Sequence, residues 1–342
     1  MTPIKWNGSS WVETTGSDPD WYDYSEKKWA NAKTSDGSMW VWIPRYAYSI
    51  PSGGYHTSNA TEISIEFMKG TSNEGANGRT SFNNSSGAGN WNIHPAFNYG
   101  QPVSGLWVAK FEASSVQGNS NSISGDNVTN KTIQVKPGVA SWRNIYIGTA
   151  YTNCLNYNKT LNSHMMKNDE WGAIAYLSRS KYGKNSEITI NGSSSFYTGG
   201  GNGNAYVTNV AQSTTGNVWG VYDMSGGSWE YVAAYVNNDN SYLIQEGLSL
   251  VNGESKTKNV YIKGSSNDRD TNYNANSGVY GDAVYEISEN GNSDNGSWEG
   301  CWSYFPDLDA SIFIRGGDGI FNFSSSGGPI NSTSFRPVLI IL

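Results

Sequence analysis

Residues 217–236 read NVWGVYDMSGGSWEYVAAYV, and two shorter stretches follow downstream: SIFIRGG (311–317) and SFRPVLIIL (334–342). Together they predict short strands alternating with turns, ending on an apolar strand stitched into a sheet rather than left free. Working outward, SMWVWIPRYAY (38–48), bounded by Gly37 and Pro44, and GLWVAKFEAS (105–114) predict two further strands. Between these groups lie two helical patterns. SWRNIYIGTAYTNCLNYN (141–158) puts Trp142, Ile145, Thr149 and Cys154 near one face, with Ser141 as N-cap. NDEWGAIAYLSRSKYG (168–183) has Asn168 as N-cap, then Asp169 and Glu170 in the first turn. Its apolar face is Trp171, Ile174, Ala175 and Ser178, its last turn carries Arg179 and Lys181, and Gly183 stops it. Helices are therefore predicted near 141–157 and 168–182. The Gly/Asn/Ser-rich stretches 70–100, 184–215 and 252–299 predict long ordered loops with occasional hairpins.

The fold class that follows is α+β: two helices packed on a twisted, mainly antiparallel sheet, in one domain spanning 37–342. The first 36 residues, punctuated by Trp, predict short strands or a small attachment segment. With 13% aromatic and 15% charged residues, 14 Trp and 40 Gly, the chain has apolar area for a core and many turns, and it lacks the signature of disorder. A net charge of −7 provides no footprint for nucleic acid or an anionic membrane. The N-terminus lacks the apolar stretch of a signal peptide, and no segment approaches membrane-spanning length. The expected settings are a virion, reached without Sec export, or an extracellular or cell surface, with the chain as one domain of a longer protein. Cys154 and Cys301 are too few for a disulfide framework or a Cys-based zinc site; two free thiols or one bridge remain. His56, His94 and His164 lack ligand spacing.

The order of motifs resembles the formylglycine-generating-enzyme/sulfatase-modifying family, a branch of the C-type lectin fold. MWVWIPRYAY is similar to its opening strand and GLWVAKFEAS to its second. ASWRNIYIGTAYTNC and MKNDEWGAIAYLSRSKYG resemble its two helices, and GNVWGVYDMSGGSWEYV its Trp-Glu element. FIRGGDG and SFRPVL resemble its Arg-Gly-Gly and closing Phe-Arg strands. The resemblance spans residues 39–342 in collinear order. The family's oxidases bind copper through paired cysteines between the last two motifs. Here that interval, DGIFNFSSSGGPINST (318–333), has no cysteine. The expectation is therefore a non-catalytic member with no catalytic residue. In the family the Trp-Glu element also holds a structural Ca²⁺, which offers Glu230 with the backbone of Gly226 and Ser228 as a calcium site. The other reading makes Glu230 a buried acceptor for backbone amides, with no cofactor at all. Gln101-Pro102-Val103 lacks the carboxylate that calcium-bridged sugar binding needs.

All 15 Lys, 14 Glu, 5 Gln, 6 Met and 14 Trp of the chain lie before Ser303. Randomising both adenines of an AAC codon yields every amino acid except those five. That pattern resembles the variable proteins of diversity-generating retroelements, which carry a mutable C-terminal stretch on C-type-lectin scaffolds. A short Ser/Gly-rich β-region would also lack long side chains. Within the variable region 302–334 and the strand after it, Ile312, Ile314, Arg315, Gly316, Gly317, Phe335 and Arg336 read as scaffold. Tyr304, Phe305, Asp307, Asp309, Asp318, Asn322, Ser324, Ser325, Pro329, Asn331 and Thr333 form the expected ligand-contacting set, with Tyr304 and Phe305 as anchors. Phe321 and Phe323 fit either role. The implied function is a receptor-binding protein of a phage or prophage tail, or a bacterial surface adhesin. Its partner would be a host or bacterial cell-surface protein or glycan, and a homo-oligomer through a fibre or the N-terminal segment fits the same picture. The alternatives are an oxidoreductase of the formylglycine-generating type with a displaced site and an invariant structural fibre domain.

Overall fold

A computed structural model describes residues 1–117 and 132–342. The architecture is α+β, with most strand pairs antiparallel. The first sheet has seven strands. They are β1 (Thr2–Trp6), β2 (Trp11–Glu13), β3 (Asn31–Lys33), β4 (Met39–Pro44), β8 (Gly105–Ala109), β11 (His164–Met165) and β19 (Pro337–Leu339), in the order β11-β19-β8-β4-β3-β1-β2. The second contains β12 (Trp229–Asn237), β13 (Asn259–Ile262), β14 (Asn292–Ser293), β15 (Ser303–Tyr304), β16 (Ile312–Arg315) and β17 (Phe323–Ser326), in the order β13-β12-β16-β17-β15-β14. In that sheet β18 (Thr333–Phe335) also pairs with β12. Three strands, β5 (Tyr46–Ser49), β6 (Ser64–Phe67) and β7 (Asn92–Ile93), form a small sheet, and β9 (Ser114–Ser115) pairs with β10 (Ile133–Gln134).

Two apolar cores lie on opposite faces of β12. Tyr231, Ala233 and Tyr235 enter one, and Val232, Ala234 and Val236 enter the other. A strand covered on both faces needs a continuous apolar run rather than an alternating one, which is what YVAAYV provides. The Trp-rich first 36 residues take the short-strand form and continue the first sheet. The boundary expected near residue 37 falls between β3 and β4, which pair in the register Asn31↔Val41. Buried Lys110 donates through Nζ to Asn31 Oδ1 at 2.9 Å and to the carbonyls of Val218 and Gly220, and Trp29 Nε1 donates to the Tyr182 carbonyl. Those side-chain bonds bind the segment to the body.

The helices are α1 (Ile147–Tyr157), α2 (Asn168–Ser178), α3 (Ser241–Gln245), α4 (Leu248–Val251) and α5 (Arg269–Ala275). The first begins six residues later than predicted, and Ser141 does not cap it. Ser141 N–H donates to the Phe196 carbonyl and Trp142 N–H to that of Ala113, so neighbouring chain holds the start of 141–146 out of the helix, and Asn144 is left-handed with φ 58°. The cap of α2 is Lys167 rather than Asn168, and its N–H donates to Glu170 Oε2 at 2.8 Å. That helix ends at Ser178, where the predicted last turn leaves the axis and Arg179 pairs with Glu299 at 3.3 Å. Every residue of α2 is buried, so its surroundings, not one apolar stripe, set its length. The predicted 252–299 loop contains α5, capped by Asp268 Oδ1 accepting the Thr271 N–H.

Glu286 fastens the small sheet to α2: its Oε2 accepts from Tyr48 Oη at 2.7 Å, Tyr176 Oη at 2.9 Å and Gly281 N–H at 2.7 Å. Burial pushes its carboxyl up to about 7 despite those donors. The folded state therefore binds this proton more tightly than the unfolded chain. The associated stability is full below the ordinary value of 4.5 and is lost as pH rises to about 7. Between about pH 4.5 and pH 8, wild type should lose on the order of 3 kcal/mol relative to Glu286→Gln. Urea unfolding of both proteins across that range checks it, and parallel curves would refute it.

Candidate ligand-binding face

Strand registers assemble a surface at one end of the second sheet. Tyr231 lies opposite both Ile314 and Phe335, and Ile314 opposite Ser324. Because Ser303 pairs with Phe323, Tyr304 stands next to Ser324. Side chains of paired residues share a face, so Phe335, Tyr231, Ile314, Ser324 and Tyr304 form one row. One pleat along, Thr333 pairs with Trp229. The same registers, extended one residue, bring Gly316, Asn322 and Trp302 into a second row. Phe321 and Phe323 both belong to the inner core, which leaves Asn322 facing outward between them. The second core fills the first row and thins out at the second, where Trp302 is 37% exposed.

An aromatic shelf crosses this end. The rings of Trp229 and Trp302 lie 5.9 Å apart at 38°, and Tyr304 meets Trp302 edge-on at 5.9 Å. The Arg269 guanidinium sits 4.4 Å over the Tyr304 ring, and Tyr304 Oη donates to Asp294. The Arg-Gly-Gly sequence explains the shelf's position. Gly316 has φ 79°, and a Cβ there would lie 2.7 Å from the Trp171 ring. A Cβ on Gly317 would lie 2.1 Å from the Trp229 indole, which packs on that backbone. The residues read as scaffold carry the face from beneath. Arg315 donates to Asn168 Oδ1 at 3.1 Å and to the Ala283 carbonyl at 2.9 Å. Arg336 donates to the carbonyls of Ala109 and Tyr222 and clamps Glu230 with Nε and Nη2.

The predicted contact residues divide. Tyr304 and Ser324 are half-buried on the face, and Asp318 is exposed in the turn after β16. Asp307 and Asp309 lie in the loop after β15. Asp307 accepts the N–H groups of Asp309 and Ala310 through Oδ1, and Arg269 Nε at 3.1 Å through Oδ2. Pro329 and exposed Asn331 lie in the β17–β18 connection, and the Asn331 carbonyl accepts from Arg143. Two expectations are corrected, at Phe305 and Ser325. Phe305, an expected anchor, is 1% exposed and packs on Phe313 at 5.1 Å, because it stands on the inner side of the strand from Tyr304. Asn322 and Thr333 have the right orientation but are fully buried, in the row of the indoles. Ser325, half-buried, pairs with Phe313 and so points to the inner side. Phe321 and Phe323 are core residues. Trp302 and Trp229 were missed; the alternation Trp302-Ser303-Tyr304, which aims both rings one way, was the available signal.

The expected calcium residues have other partners. Both Glu230 oxygens accept from Arg336, a cation of the protein itself, rather than from backbone amides. Gly226 N–H donates to the Gly316 carbonyl, and Ser228 N–H to Glu112 Oε1 at 2.7 Å. Burial pushes the carboxyls of Glu112, Asp223 and Glu230 up, and Arg336 opposes the rise in all three. Burial pulls Arg336 down, but Glu230, Asp223 and Glu112 together overcome it and hold the guanidinium above its usual range. Among the described residues, no group of three His, Cys, Asp or Glu side chains is placed to hold a metal ion. Cys154 and Cys301 are buried free thiols in different cores, and burial pushes Cys301 up to about 12. A separate cleft of about 510 Å³, lined by Trp21, Tyr22, Tyr24, Trp42, Phe67 and Trp107 among others, contains none of the predicted contact residues. No helix among the described residues is long and apolar enough to cross a membrane. No family model matches the chain, and no curated protein matches it.

Proposed function

We propose that this is a non-catalytic binding protein on a C-type lectin-like, formylglycine-generating-enzyme-like scaffold. It acts as a phage or prophage tail receptor-binding protein or a bacterial surface adhesin, and a retroelement diversifies its C-terminal face. The observation that carries the reading is a coincidence of composition and geometry. The stretch that lacks Lys, Glu, Gln, Met and Trp supplies Tyr304, Ser324, Asp318 and Asn331 to an accessible end of one sheet, while its Arg315, Arg336, Ile312 and Ile314 are buried beneath. A surface that mixes an aromatic anchor with small polar neighbours binds as antibody loops do. The two buried thiols, protonated at neutral pH, support a non-catalytic role over an oxidase. The N-terminal strands would carry the attachment.

The nucleotide sequence tests this. A near-identical template repeat with AAC at the exchangeable codons, beside a reverse-transcriptase gene, is the expected finding; a locus with neither refutes diversification. The face itself has a physical test. Joint replacement of Tyr304, Asp318, Ser324 and Asn331 by Ala should leave the protein folded at a cost of about 1–3 kcal/mol, since exposed Asp318 and Asn331 shift stability little and most of the loss is the Tyr304 ring's contacts with Trp302 and Arg269. The same protein should lose retention on the cells that wild type coats. Retention unchanged after all four replacements would sink the assignment of the face.

A further inference from the structure

The row containing Trp229, Asn322 and Trp302 has a property that packing does not explain. Asn322 is fully buried, yet neither its carboxamide oxygen nor its nitrogen has a hydrogen-bond partner among the described residues. Thr333 Oγ1, in the same row, is in the same condition. An unsatisfied buried polar group costs about 1–3 kcal/mol, and an apolar residue of similar size would avoid it. A buried polar group without a protein partner calls for another source of partners, and a ligand bound at this row would supply them. Beside them stand two indoles, the outer one accessible, which present flat apolar faces.

The row also divides by chemistry. Trp229 and Trp302 are residues that a randomised AAC codon cannot encode, whereas it can encode Asn322 and Thr333 here and Ser324 and Tyr304 in the adjoining row. On the binding-face reading, from which this inference starts, the site joins an invariant stacking shelf to an exchangeable polar set. The invariant shelf recognises a flat apolar face that all targets have in common, and the exchangeable set, which in this chain includes Asn322, reads the polar groups around its edge.

The geometry points to a pyranose ring of a surface glycan as that common element, bound without calcium. A sugar with equatorial substituents presents axial C–H groups on its flat faces, which stack on Trp302. Its neighbouring hydroxyls offer a donor and an acceptor side by side, and the Asn322 carboxamide offers the complementary pair. An apolar side chain from a protein partner would stack equally well but would leave Asn322 unsatisfied. Trp302, the exposed member of the pair, is the part that moves to admit the ring.

The test titrates the full chain with cellotetraose and chitotetraose in the presence of a chelator. Trp emission and saturation transfer to the pyranose C–H protons are the readouts. Saturable binding of at least one of the two is expected, weakened at least tenfold by Trp302→Ala and by Asn322→Ala. Thermal unfolding of Trp302→Ala should match wild type, and that of Asn322→Ala should be no lower, because an unpartnered amide is removed. Absence of saturable binding in wild type, or binding indifferent to Trp302→Ala, overturns the inference. A melting temperature for Asn322→Ala well below wild type also overturns it, since the amide would then serve the fold. Finding the template repeat without saccharide binding would leave the binding face standing and sink only this ligand.

Discussion

Arg336→Ala should destabilise the protein by about 3–5 kcal/mol, the cost of breaking a buried ion pair and leaving one charge behind. The guanidinium is fully buried and makes contacts in every direction: two carbonyls on one side and the Glu230 carboxylate on the other. Its removal leaves Glu230 facing Glu112 and Asp223, two more buried carboxyls, without the cation that acts on all three. Arg336→Lys should recover little, because a point charge on a flexible stem cannot reproduce the two-point clamp. Arg336→Met with Glu230→Gln should recover a large part, since the charge that loses its partner is removed as well. Denaturant unfolding of the four proteins checks the series; a loss below about 1 kcal/mol for Arg336→Ala would show that the cluster is not what holds the sheets together.

The second large effect separates two adjacent glycines. Gly316→Ala should cost about 3 kcal/mol, combining a left-handed backbone that costs an ordinary residue about 1–2 kcal/mol with crowding worth about as much again. Its new Cβ would lie 2.7 Å from the ring of Trp171, a residue locked in the core, and 3.2 Å from the Met224 carbonyl. Gly317→Ala should instead cost less, about 1–2 kcal/mol, and change the surface, because its backbone is not left-handed and its Cβ would lie 2.1 Å from the indole of half-buried Trp229, which must turn aside. Thermal melts and Trp emission of the two variants distinguish them. Equal destabilisation would mean that Trp229 is fixed, and the stacking shelf could not adapt to a ligand.

Much of this was legible in the chain. The apolar runs of β4, β8, β12 and β19 announce strands, and the acidic first turn of α2 announces a helix, because local composition dictates both. The Arg pair was legible too: an arginine within an apolar strand must find carbonyls or a carboxylate. What the sequence could not convey was partnership over distance. Residues 141–146 have helical periodicity but spend their N–H groups on Phe196 and Ala113. Glu230 looks like a metal ligand until Arg336 is seen clamping it. Phe305 looks like an anchor until the pleat turns it inward, since a one-residue difference in alternation moves a side chain to the other face. Asn322 shows the converse: its orientation follows from Phe321 and Phe323 on either side, but its burial depends on which rings neighbour it.

The two-sheet topology also bears on how the chain folds. β12 needs β16 and β18, and β8 meets β19 in the register Val108↔Val338, so both sheets stay open until the last forty residues join them. Contacts so remote in sequence make folding slow and leave unpaired edges exposed meanwhile. A chain truncated before β18 would leave β8 without its partner β19 and open the Trp229–Tyr231 part of β12 that β18 covers, ready to pair with a neighbouring chain. During synthesis the N-terminal strands must therefore wait, and whatever sequence occupies 303–333 emerges just ahead of the two strands that close the molecule. A change there that stalled the closing strands would leave an aggregate, not a weaker binder.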